Sequence, residues 1–144
     1  KKASARPFRP VKGDMLSLPF ASRVFDKTVS VTALEFMEDG ASVIRELFRV
    51  TRKGGLVVVA TLNSLSPWAE RRRERAAQGR SEVFKQVIFR SPEETAGLGP
   101  THGEWRTAIH FAKDEDPARA PLVEETGRIE GGRTGAFVAV RWFV

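Results

Sequence analysis

The sequence predicts an α/β protein with a mostly parallel sheet and an antiparallel C-terminal strand. Two strand-like runs, residues 24–31 and 56–60, flank a stretch of helical periodicity from Asp39 to Val50, and the short joins between them make a βαβ unit. A third observation is the strongly strand-like close of the chain over residues 135–143, with Phe137, Val138, Val140 and Trp142.

Taken in order, residues 1–10 are basic, proline-bearing and without periodicity, and read as a severed connection. Residues 11–20 form an apolar loop closed by Pro19, which cannot continue a helix. Val24, Phe25, Val29 and Val31 are β-formers in a short run of the kind that buried strands show. Asp39 is a good N-cap for the helix that follows, whose apolar stripe is Val43, Ile44, Leu47, Phe48 and Val50. Arg52 and Lys53 with Gly54-Gly55 supply a cationic last turn and a left-handed stop, and Leu56 to Ala60 then reads as a strand covered on both sides. Ser66-Pro67 opens a charged helix ending near Gly79, and Ser91 with Glu94 forms a capping box for a short helix that Gly97 or Gly99 can stop. Residues 106–111 are strand-like, 121–129 a short helix and 130–135 a turn.

With 144 residues, 41% hydrophobic and 29% charged, the chain has the composition of one ordinary globular unit rather than of a disordered or membrane-spanning chain. No apolar run approaches the roughly 20 residues that a membrane-spanning helix needs. The absence of cysteine excludes disulfides, thiolate metal sites and cysteine nucleophiles, and fits a reducing compartment, so a cytoplasmic location is expected. Most of the formal +6 charge lies in residues 66–90, where Arg71, Arg72, Arg73, Arg75, Arg80, Lys85 and Arg90 outnumber Glu70, Glu74 and Glu82. Few aromatic residues, Trp68 and Phe84 among them, interleave with these cations, so a solvated basic helical excursion is the favoured reading over a nucleic-acid face.

A set of short motifs follows in fixed order: Gly13-Asp14-Met15 with Leu18-Pro19-Phe20, Phe25-Asp26 leading into Val29-Ser30, Leu34-Glu35-Phe36 with Asp39, and Glu46-Leu47 and Arg49-Val50 before Lys53-Gly54-Gly55. In these residues the chain resembles the second half of a class I S-adenosylmethionine-dependent methyltransferase of the small-molecule kind often termed type 11. The resemblance implies a Rossmann-like methyltransferase fold, truncated, with residues 1–144 as a single partial domain and 66–90 as its basic excursion. It also implies that the cofactor is S-adenosylmethionine and that Asp14 accepts a hydrogen bond from the adenine amino group while the backbone N–H of Met15 meets a ring nitrogen. Val31, Thr32 and Ala33, at the carboxyl end of a parallel strand, are the other candidate cofactor-binding residues.

The same resemblance places the glycine-rich cofactor loop and the ribose-holding acidic residue upstream of this segment, so the chain alone is expected to be inactive. Gly97, Gly99 and Gly103 do not replace that loop, because they follow a helix and include Pro100. A metal is not expected. Where some methyltransferases carry Glu-x-x-Glu-His, this chain reads Thr32, Ala33, Leu34, Glu35, Phe36, and a lone Glu35 is too few donors. His102 and His110 are too far apart to form a helical pair. No catalytic residue is assigned, since methyl transfer can proceed by alignment of the acceptor with the sulfonium methyl group. The expected partner is a small-molecule methyl acceptor. The competing readings are a non-catalytic interaction module using an exposed sheet edge and a basic nucleic-acid-binding fragment.

Overall fold

The computed structural model describes residues 9–144, so the opening stretch falls mostly outside the described residues. In chain order the elements are β1 (Phe25–Val31), a 3₁₀ turn (Leu34–Phe36), α1 (Gly40–Val50), β2 (Thr51–Leu62), α2 (Pro67–Ala77), a second 3₁₀ turn (Val83–Lys85), α3 (Pro92–Ala96), β3 (Glu104–Ala108), α4 (Ala120–Ile129) and β4 (Phe137–Phe143). The four strands form one sheet in the order β1-β2-β4-β3. β1 and β2 pair parallel, whereas β4 is antiparallel to both β2 and β3. Three strands therefore point one way and the C-terminal strand the other, as expected.

The sequence forms α1 because its cap and stripe agree. The Asp39 carboxylate accepts from the backbone N–H of Ser42 at 2.9 Å, satisfying an otherwise unpaired first-turn donor. Val43, Ile44, Leu47 and Val50 are all buried, each contributing about 1.5–3 kcal/mol on burial. The core they help build also contains Leu34, Val57, Val59, Ala96, Val138, Val140 and Trp142. Ser66 and Ser91 cap α2 and α3 as expected, with proline in the first helical turn of each and the full capping box at Ser91 and Glu94.

Three expectations are corrected. The first concerns Gly54-Gly55, which do not stop α1: the helix ends at Val50, and Thr51 is already extended. The Thr51 hydroxyl donates to Leu47 O at 2.7 Å, closing the last turn from the side chain. Gly54 does adopt a left-handed φ of 73°, but inside β2, where the register jumps from Phe25↔Thr51 to Lys27↔Leu56. The glycines serve a bulge. Gly55 is confined there, since a Cβ would stand 2.7 Å from Asp26 O.

The second correction is that β2 is not covered on both sides: Val57, Val59 and Thr61 are buried, while Leu56, Val58 and Ala60 on the other face are half-buried. The third is that β1 is an edge strand rather than a buried one, with Val29 65% and Val31 57% exposed. All the core helices and turns pack on one face of the sheet.

The glycines after α3 have a packing role. Trp142 is 2% exposed and its indole N–H lies 3.3 Å from Ala96 O and 3.2 Å from Thr101 O. A Cβ on Gly99 would stand 2.5 Å from that indole nitrogen, and one on Gly103 would collide with Val140 and Trp142. This loop thus closes over the indole.

Candidate active site

Parallel strands present their carboxyl ends on one side of the sheet, and here β1 and β2 end together at Val31 and Leu62. Val31 pairs with Ala60. Thr32 follows with a left-handed φ of 49°, unusual for a β-branched residue, and its N–H donates to Ala60 O at 2.9 Å. Ala33 then begins the 3₁₀ turn by accepting from Phe36 N at 3.2 Å. The three consecutive candidates thus form the bend that takes the chain off the sheet.

Inside that turn, Glu35 is 2% exposed. Its carboxylate accepts from the Thr61 hydroxyl at 2.9 Å, and its carbonyl accepts from Ile88 N at 2.7 Å. Arg90 reaches the same turn, donating to Leu34 O at 3.2 Å, Met37 O at 2.7 Å and Glu38 O at 3.2 Å. Burial pushes the Arg90 guanidinium down from its ordinary value, against the opposing pull of Glu94 and Glu35. Arg90 also closes the basic excursion: Asn63 and Arg90 form an isolated parallel bridge, and Ser64 N donates to Arg90 O at 3.0 Å. Asn63, 0% exposed, anchors the other side by donating to Arg133 O at 2.6 Å and Gly135 O at 2.8 Å.

Asp14 lies on a separate exposed turn. Its carboxylate accepts from Leu16 N at 2.9 Å, its carbonyl accepts from Ser17 N at 3.1 Å, and no hydrogen bond or ion pair joins it to Val31, Thr32 or Ala33. Met15 is half-buried and packs with Leu18 against the core. What fixes this segment is a clamp on α1. Glu46 accepts from Leu18 N at 2.7 Å, and Arg49 donates to Phe20 O at 2.9 Å and Leu18 O at 3.1 Å while pairing with Glu46 at 2.7 Å. Hydrogen bonds from Arg49 hold the Glu46 carboxyl below its usual range. Two of the motifs read separately in the sequence, Leu18-Pro19-Phe20 and Glu46 with Arg49, are therefore one device.

Among the described residues no group of three metal-binding side chains is present. Sequence reasoning missed the environment of Glu35, weighing it only as a solitary metal donor. Its partner Thr61 is 26 positions away, and Arg90 is 56 from Leu34, separations that no local pattern encodes. The one local signal was a carboxylate between Leu34 and Phe36.

Comparison with known proteins reaches the same class. Residues 1–59 match the family model described as a methyltransferase domain. A demethylmenaquinone methyltransferase of Mycobacterium marinum is 41% identical over 132 residues, covering 92% of this chain and 50% of that protein. A norajmaline N-methyltransferase of Rauvolfia serpentina is 35% identical over 60 residues, which is 40% of this chain and 20% of that protein. The chain spans at most half the length of these relatives. Among solved structures, a SAM-dependent methyltransferase of Thermotoga maritima superposes with a TM-score of 0.69 at 21% identity, over 91% of this chain and 61% of that one. One from Mesorhizobium loti gives 0.58 at 19% identity, over 96% and 72%. The matched family model, these relatives and these folds are all those of methyltransferases.

Proposed function

We propose that the natural protein carrying this chain transfers a methyl group from S-adenosylmethionine to a small-molecule acceptor, and that residues 1–144 are one partial domain of it. The observation that carries this reading is the 41% identity with a methyltransferase over 92% of the chain. Asp14 belongs to the segment that Glu46 and Arg49 fix through Leu18. In this reading Asp14 and Met15 meet the adenine and Val31, Thr32 and Ala33 line the cofactor crevice. When bound, the cofactor supplies the electrophilic methyl group. The residues of this chain orient it and exclude water, and no metal takes part. A carboxylate only accepts, so Asp14 selects the amino-bearing edge of adenine, and a neighbouring N–H donor completes the two-point recognition. The cysteine-free composition fits a cytoplasmic location as part of the same proposal.

Calorimetric titration of the natural protein with S-adenosylhomocysteine tests it. Saturable binding is expected, and Asp14→Ala should weaken it about ten- to hundred-fold by removing a charge-assisted hydrogen bond of roughly 1.5–3 kcal/mol. The melting temperature should barely change, because the Asp14 bond to Leu16 is exposed and local. Unchanged affinity with a lowered melting temperature would remove Asp14 from the site. The exposed edge strand β1 favours a second reading, a module that docks a partner by strand addition; a protein that binds no cofactor but captures an extended peptide would establish it.

A further inference from the structure

Among the described residues α4 is the α-helix that buries no side chain. One side of it is held by polar and backbone contacts: the Glu124 carboxylate accepts from Ile109 N at 3.1 Å and His110 N at 2.7 Å, and a Cβ on Gly127 would collide with the His110 ring. Its other side carries Leu122 and Ile129, 69% and 75% exposed, more than any other large apolar side chain among the described residues. Seven positions apart, they share one stripe of the helix with Thr126 between them. Two charges continue that stripe. Arg119 immediately precedes the helix and Glu130 immediately follows it, and their separation of three helical turns puts them on one face, roughly 16 Å apart along the axis. A groove of 430 Å³ is lined by both of them together with Leu122 and Thr126. Neither has an ion-pair partner among the described residues. Each also stands at the wrong end of the helix, because the N-terminus carries partial positive charge and the C-terminus partial negative charge. The fold of one chain leaves this arrangement unexplained.

We propose that α4 docks antiparallel on α4 of a second copy of this chain, about a two-fold axis near the middle of the helix. This alignment sets Leu122 against the partner's Ile129 and brings Arg119 within reach of the partner's Glu130, and symmetry repeats both contacts. The two helix dipoles then oppose one another, so Arg119 lies beside the partner's C-terminal end, where a cation is favoured, and Glu130 beside its N-terminal end, where an anion is favoured. Charge decides between the occupants. A parallel pair would set arginine against arginine and glutamate against glutamate, and a partner of one sign, such as a nucleic acid, would be repelled at one end of the stripe. A single helix pair buries less than a standard interface, so the association is reversible. The inference stands on α4 and does not rest on the methyltransferase reading.

Sedimentation of the natural protein carrying this chain tests it, from low to high micromolar concentration and at low ionic strength, where surface charge is least screened. A reversible monomer to dimer equilibrium is expected, and Leu122→Asp should abolish it. Arg119→Glu or Glu130→Arg sets like charges against each other twice across the pair, and each should weaken the dimer at least about ten-fold. Both substitutions suit the helix dipole better than the natural residues, so the melting temperature of the monomer should hold or rise, which separates a lost interface from a lost fold. An equimolar mixture of these two variants should dimerise again, because one then carries acid at both ends of the stripe and the other base at both ends. A natural protein that sediments as a monomer throughout overturns the proposal. A dimer indifferent to both charge reversals does so too, as does a mixture of the two variants that stays monomeric.

Discussion

Glu46 and Arg49 show how much a single charged pair can organise when both partners also meet backbone. Glu46 caps Leu18 N, Arg49 gathers the carbonyls of Leu18 and Phe20, and each holds the other in place. Because the Glu46 carboxyl is held below its ordinary range, its contribution is complete above that range and disappears as pH falls through the lowered value; Asp39 and Glu94 are lowered in the same sense by their capping bonds to Ser42 and Ser91. The melting temperature should therefore fall on acidification from about pH 6 to about pH 2.5, and a Glu46→Gln variant should start lower and fall less steeply. Equal slopes would show that the clamp adds nothing. Arg90 acts similarly on the turn after β1, and a lysine has one nitrogen in place of the two with which Arg90 spans these three carbonyls. Arg90→Lys is expected to cost roughly 1–3 kcal/mol, read by chemical denaturation.

At the scale of elements, the helices were legible because their signals are local. Asp39, Ser66 and Ser91 each stand where a cap must stand, and of the stripe of α1 Val43, Ile44, Leu47 and Val50 are buried while Phe48 is half-buried. Leu47→Ala should accordingly destabilise by about 2–5 kcal/mol, the span for a core leucine lost to a cavity. The end of α1 was not legible, since the hydroxyl of Thr51 caps Leu47 O before the glycines are reached, and nothing in Arg52-Lys53-Gly54-Gly55 distinguishes a helix stop from a strand bulge. The glycines after α3 were likewise read as plain loop, because their reason, the indole of Trp142, lies some forty residues on. Gly103→Ala is expected to destabilise by about 1–3 kcal/mol through overpacking, detectable as a lowered melting temperature with an altered Trp142 emission. In the candidate site, Val31, Thr32 and Ala33 could be placed by the rule for strand ends, whereas the meeting of Glu35, Thr61 and Arg90 required the folded chain.

For the molecule as a whole, the sheet is covered on one face and open on the other. Val29, Val31 and Phe143 are 65%, 57% and 63% exposed on the open side, beside a 520 Å³ depression bordered by Leu56, Val58 and Arg141. So large an apolar area should bind a hydrophobic dye such as ANS, and Val29→Lys with Val31→Lys should diminish the signal without loss of helicity; an unstained protein would show that the face is occupied. The tie between Asn63 and Arg90 has a different consequence. Twenty-six residues leave the sheet and return to it through one paired rung, so their length and sequence are decoupled from the register of β2 and β4. Such a segment is an exchangeable cassette: evolution, or a designer, can rewrite what it presents above the strand ends while the scaffold beneath keeps its alignment.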